Sequence, residues 1–99
     1  MAFSVRYTKN AREDIKTLYK FLLNQDVEAA KRAFGAISKI TEFLQEFPFS
    51  CRKVDEQNPF LREVIIPFGS SGYVALFEIE NSNTVTILAV RHQREIDYH

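Results

Sequence analysis

Thr84-Val85-Thr86-Ile87-Leu88-Ala89-Val90-Arg91-His92 is the stretch whose reading decides the fold. Between Val85 and Val90 only Thr86 is polar, so both faces of the segment need cover. A short apolar run of that kind reads as a strand inside a sheet rather than at its edge. Upstream, Asn81-Ser82-Asn83 reads as a tight turn and Tyr73 to Glu80 as the strand before it. Gly69-Ser70-Ser71-Gly72 is another turn. Phe60 to Ile66 is a further strand, stopped by Pro67. Residues 48–59, with two prolines and four charged side chains, read as an irregular connection. Downstream, the strand runs straight into Arg91-His92-Gln93-Arg94-Glu95.

The first half carries a different period. Phe3, Val5 and Tyr7 alternate with Ser4 and Arg6, the mark of a short strand with one buried face. Thr8 or Asn10 can cap the helix that follows; Asn10 has Glu13 at the capping-box distance. Ala11, Ile15, Leu18, Tyr19 and Leu22 then fall on one stripe of a helix reaching to about Leu23. Asn24-Gln25-Asp26 interrupts the stripe, and Asp26 is a good N-cap for a second helix. Ala30, Ala33, Ile37, Ile40 and Leu44 form its stripe, with Ala29, Ala36, Phe43 and Phe47 beside it. Pro48 ends this helix, because the residue before proline is pushed out of the helical region. So short a link between two helices makes an antiparallel hairpin.

The order β-α-α-β-β-β specifies an α+β fold: an N-terminal strand, then an antiparallel helical hairpin packed on a small, mainly antiparallel sheet of three to four strands. Ile15, Leu18, Leu22, Ile37, Ile40, Leu44, Val64, Ile66, Phe77, Ile87 and Leu88 are the expected core. The uncovered face of the sheet is the expected binding surface.

At 99 residues the chain is one domain, residues 1–99, since a second core would not fit. No apolar run approaches the roughly 20 residues that span a bilayer, and Met1-Ala2-Phe3-Ser4 is no signal peptide. The chain therefore reads as cytoplasmic. Thirteen basic residues balance thirteen acidic ones. Binding to a phosphate backbone is driven by counterion release and normally shows as excess positive charge. Direct nucleic-acid binding is therefore not expected. Cys51 is the single cysteine, which rules out an internal disulfide and a thiolate metal cage, and it reads as an inert thiol. Asp97 and His99 make no convincing metal site, and nothing suggests a cofactor.

Two groups of side chains remain for function. Arg62, Arg91, His92 and Arg94 sit on or just beyond neighbouring strands, where a rigid frame could aim them at an anionic or polar macromolecule. Arg62 could instead pair across the sheet with Glu78 or Glu80, and of Arg91 and His92, which alternate, one could be structural. Phe43, Phe47 and Phe49 belong either to the core or to a groove for a partner. Nine phenylalanines are a great many for so small a core.

In order and spacing these residues resemble the RelE/ParE superfamily of bacterial type II toxins. The resemblance rests on Tyr7-Thr8, Ala11-Arg12-Glu13-Asp14-Ile15, Tyr19, the Ala-rich start and Phe-Pro end of helix two, Arg52, Leu61-Arg62-Glu63, Tyr73, and Val85 to Val90 running into Arg91-His92-Gln93-Arg94-Glu95. It implies a cognate antitoxin whose C-terminal segment wraps and silences the toxin; if Phe43, Phe47 and Phe49 form a groove rather than core, that segment is its expected occupant. Acidic antitoxin groups are expected near Arg62 or Arg91. The superfamily divides between RelE-like enzymes, which cut mRNA on the ribosome, and ParE-like proteins, which block DNA gyrase without known catalysis. Zero net charge and the ending Val90-Arg91-His92-Gln93-Arg94-Glu95 are more similar to the ParE branch. In the nuclease ending a tyrosine closely follows the last strand, whereas Tyr98 lies several residues beyond it. The resemblance thus implies a non-enzymatic gyrase inhibitor with Arg62, Arg91, His92 and Arg94 as target contacts and no catalytic residues. The alternatives are a RelE-like nuclease, with Arg62 on the phosphate, and a non-toxic member that only binds antitoxin.

Overall fold

The computed structural model describes residues 2–68 and 72–92. Arg94 and the rest of the chain end, with most of the turn expected at Gly69-Ser70-Ser71-Gly72, lie outside the described residues. Strand β1 (Ser4–Tyr7) leads into helices α1 (Lys9–Gln25) and α2 (Val27–Glu46), then a 3-10 turn at Pro48–Ser50. Strands β2 (Arg52–Asp55), β3 (Asn58–Ile66), β4 (Tyr73–Ile79) and β5 (Thr84–His92) follow. All belong to one sheet of order β1-β5-β4-β3-β2. β1 runs parallel to β5 and every other pair is antiparallel. No helix among the described residues is long and apolar enough to cross a membrane.

The helix ends follow from local chemistry. Thr8, not Asn10, is the N-cap of α1: its hydroxyl accepts the Ala11 amide at 3.1 Å. Asp26 does two jobs at once. Its own N–H donates to Leu22 O at 2.7 Å, closing α1, while its carboxylate accepts the Glu28 amide at 3.0 Å, opening α2. The hairpin link is thus a single residue. Phe47 closes α2 by donating its N–H to Phe43 O at 2.9 Å, just before Pro48.

The sheet is larger than expected, with five strands rather than three or four. The stretch 48–59, read as irregular, holds the 3-10 turn, strand β2 and the start of β3. In that hairpin Arg52 lies opposite Glu63 and Lys53 opposite Arg62. Asp55 accepts the Gln57 amide and Asn58 the Phe60 amide, so two Asx turns bend the chain. All four residues of β2 are exposed. An edge strand of that kind has no buried face, and so leaves no period-2 signal in the sequence.

The helices cover one face. Ala11, Leu44, Ile66, Ala75, Phe77, Ile79, Val85, Ile87 and Val90 form the main core. Ala11 and Leu44 are fully buried; a methyl at position 11 lets α1 press closely on the sheet. Leu18, Leu22, Ala30 and Ala33 form a second cluster between the helices. Of the expected core, Ile15, Ile37, Ile40, Val64 and Leu88 are only half-buried. Leu88 has a specific reason. Leu76 pairs with Ala89 and Phe77 with Ile87, so Leu88 is an extra residue bulged out of the β4–β5 ladder.

Candidate functional site

The bulge decides what the end of β5 presents. Val85 and Ile87 face the helices, and strict alternation would send Arg91 the same way. One inserted residue reverses the parity. Val90 and His92, opposite Ala75 and Tyr73, return to the helix face, and Arg91, opposite Val74, takes the other. The His92 ring meets Tyr73 edge-on, with centroids 5.2 Å apart and planes at 86°. The Arg91 side chain is 55% exposed, and its Nε lies 3.8 Å from Asp14 Oδ2. Asp14, Thr17, Phe21, Tyr73, Arg91 and His92 border a groove of about 460 Å³ between α1 and the end of the sheet.

Arg62 is placed differently from the expectation. It lies opposite Phe77 on the helix-facing side of β3 and is only 9% exposed. Its Nε donates to Pro59 O at 2.7 Å, and its Nη1 to Phe49 O at 2.9 Å and Cys51 O at 2.8 Å. The guanidinium carbon stands 5.5 Å from the Phe49 ring centroid, a cation–π distance. Three carbonyls from two chain segments occupy the guanidinium, so Arg62 fastens the 3-10 turn to β3. The proposed ion pair with Glu78 or Glu80 is not made. Glu78 lies opposite Leu61, on the other face, and the Glu80 carboxylate accepts the Thr86 hydroxyl. Arg62 and Arg91 therefore stand on strands separated by β4, Arg62 beneath the 3-10 turn and Arg91 beside Asp14 at the outer edge of β5; the expected cluster is divided.

The other cations near Arg62 do not converge with it. Arg52 is ion-paired to Glu63 across the β2–β3 hairpin. Burial pushes the Cys51 thiol up from its ordinary range, against the opposing pull of the Arg62 guanidinium and the Ser50 hydroxyl. Among the described residues no group of three or more His, Cys, Asp or Glu could hold a metal ion. Tyr19 also has a raised pKa, from burial and from the neighbouring phenol of Tyr7. It stacks on Phe34 in a groove of about 630 Å³ on the helical hairpin.

The three phenylalanines are not core. Phe43, Phe47 and Phe49 are 39%, 57% and 51% exposed. Phe43 and Phe47 lie 5.7 Å apart, and Phe49 packs edge-on against Phe3 and Phe60. Val54, Phe60 and Ile65 are exposed as well, so an apolar band follows the β2–β3 side of the molecule. A monomer seldom leaves such a band uncovered unless a partner uses it.

Residues 5–97 match the family model described as the ParE toxin of the type II toxin-antitoxin system parDE. The chain belongs to the ParE toxin family. Within the wider RelE/ParE superfamily it is similar to Toxin RelE3 of Caulobacter vibrioides, with 34% identity over 93 residues, 93% of this chain and 96% of that one. Toxin RelE1 of the same organism is 32% identical over 83 residues, 84% and 86% of the two chains. Two solved structures share the fold. One is a chain of the chromosomal ParDE toxin-antitoxin system of P. aeruginosa, with TM-score 0.69, 18% identity and coverage of 92% and 96%. The other is a double arginine-to-alanine mutant of E. coli toxin RelE in the free state, with TM-score 0.63, 14% identity and coverage of 98% and 90%. The chain is thus a type II toxin-antitoxin toxin on a ParE/RelE-like frame.

Sequence reading missed Asp14. It was quoted only as part of a motif, yet its carboxylate accepts the Val90 amide at 2.9 Å from 76 positions away. A carboxylate on the flank of the apolar stripe of an amphipathic helix is indistinguishable from a solvated one until the packing is known.

Proposed function

We propose that this ParE-family toxin inhibits DNA gyrase by surface binding, without catalysis of its own, through the exposed end of β5. Arg91 and His92 carry the contact, joined by Arg94. The observation that supports this reading best is the separation of Arg62 from Arg91. Cleavage of RNA by 2′-hydroxyl attack needs a base, an acid and phosphate-binding cations brought to one point. Here Arg62 is committed to three carbonyls around the 3-10 turn, while Arg91, with β4 between them, lies beside Asp14 at the outer edge of β5. Zero net charge agrees with a protein target rather than an RNA one. The toxin works in the cytoplasm, where gyrase is. The ParDE neighbour supports a cognate antitoxin as its partner, and the exposed Phe43, Phe47 and Phe49 are the surface we assign to it.

A second reading is favoured by the relatives named Toxin RelE1 and Toxin RelE3: ribosome-dependent mRNA cleavage. The purified toxin, assayed for gyrase supercoiling and in a translation extract, decides. Lost supercoiling with intact transcripts is the expected result. Cleaved transcripts with normal supercoiling overturn the proposal.

A further inference from the structure

β1 accompanies β5 only from Thr84 to Ile87. Beyond that point no strand among the described residues lies beside the outer edge of β5, and the first turns of α1 take over. The Thr8 N–H donates to Ile87 O at 3.0 Å. The bulged residue's carbonyl, Leu88 O, accepts both the Thr8 hydroxyl and the Asn10 amide, each at 3.2 Å. Asp14, one turn after Asn10 on the same side of the helix, accepts the Val90 N–H with Oδ2. The same oxygen is the one that faces Arg91 Nε. A single carboxylate oxygen thus ties down the backbone just past the bulge and restrains the guanidinium next to it.

This geometry has a consequence for parity. The bulge at Leu88 sets the register that takes Arg91 off the face shared by Val85 and Ile87 and leaves it beside Asp14 at the strand edge, and the hydrogen bonds around a bulge fix its place in the ladder. Thr8 and Asn10 pin its carbonyl; Asp14 pins the next amide available at that edge. Were Val90 released, the bulge could shift along β5 and exchange the faces of Arg91 and His92.

We infer that Asp14 is a positioning residue for the target-contacting end of β5: it holds the Val90 amide and aims Arg91. The assignment rests on the reading that Arg91 contacts the target. Asp14 itself, only 22% exposed at its side chain, acts through Arg91.

The test uses the full chain in five forms: wild type, Asp14→Ala, Asp14→Asn, Arg91→Ala and the double variant Asp14→Asn/Arg91→Ala. Amide exchange followed by NMR needs no target. In Asp14→Ala the Val90 amide should exchange at least about tenfold faster, with Phe77 and Val85 unchanged, because opening is local. Asp14→Asn keeps an acceptor oxygen for Val90, so its exchange should stay near wild type while Arg91 loses its ionic partner. Inhibition, scored by supercoiling and by growth arrest, should fall several-fold in Asp14→Asn. In the Arg91→Ala background the same change should add nothing, since coupled residues are not additive. A merely structural role would lower both backgrounds equally, and that additive result overturns the inference. So does unchanged Val90 exchange in Asp14→Ala. Wild-type protein that leaves supercoiling untouched sinks the gyrase reading alone, and the exchange and growth-arrest arms then decide the role of Asp14.

Discussion

Arg62 holds Phe49 twice: its guanidinium donates to the Phe49 carbonyl at 2.9 Å and stands 5.5 Å from the centroid of the Phe49 ring. One residue of the 3-10 turn is thereby fixed by backbone and side chain together. This is how the turn after α2 is tied to β3, and it sets where the apolar band around Phe49 lies.

Arg62→Ala should therefore destabilise the fold. Three charge-assisted hydrogen bonds and a cation–π contact are lost, and losses of that kind at a buried site cost about 2–4 kcal/mol. A solvent-exposed arginine at this place would instead leave the melting temperature almost unchanged. Urea midpoints distinguish the two. Arg62→Lys should recover only part, because an ammonium cannot span the three carbonyls as a planar fork does. An unchanged midpoint in Arg62→Ala would show that the guanidinium does not hold the turn.

Arg91→Ala should behave in the opposite way. Its side chain is half-exposed and its ion pair to Asp14 is long, so the cost in stability should stay below about 1 kcal/mol. Inhibition of the target should nevertheless drop about tenfold, the effect of losing one good charged contact. Matching losses of stability and inhibition would mean that Arg91 only supports the fold.

Phe47→Ala tests the antitoxin surface. With 57% of the residue exposed, its truncation should cost the free toxin less than about 1 kcal/mol. Antitoxin affinity should fall about tenfold or more, as expected for an aromatic anchor. Titration calorimetry with the cognate antitoxin gives the number directly. Equal affinities for wild type and variant would move the interface elsewhere.

Cys51 provides a test of pH dependence. Burial is the largest influence and raises its pKa, so at any given pH less thiolate is present than on a free cysteine. Alkylation at neutral pH should be slower than for a model thiol, and should accelerate only at higher pH. The linkage has a definite sign. The folded thiol binds its proton more tightly than the unfolded one, so this stability is present below the unfolded pKa and lost as pH rises through the folded value. Alkylation at neutral pH as fast as a free thiol would contradict the burial.

The sequence by itself determined the two helices, the Asp26 cap of the second and the three inner strands. Those features are written in local periods and caps: apolar residues every three or four positions, a carboxylate at an N-cap, apolar runs closed by turn residues. Family membership was legible for the same reason, since it rests on the order of short motifs along the chain. Strand β2 was not, because Arg52-Lys53-Val54-Asp55 has no buried face and pairs only once β3 is beside it. The exposed places of Phe43, Phe47 and Phe49 were left open by composition, since a phenylalanine looks alike in a core and in a band. Only the tertiary structure decided where the arginines point. Arg62 turns inward because the 3-10 turn brings the carbonyls of Phe49 and Cys51 over β3. Arg91 leaves the face of Val85 and Ile87 and comes beside Asp14 at the edge of β5 because one bulged residue, Leu88, shifts the pleat by a single position. A strand has period two, so a one-residue change in register, invisible in the sequence, reverses every side chain beyond it.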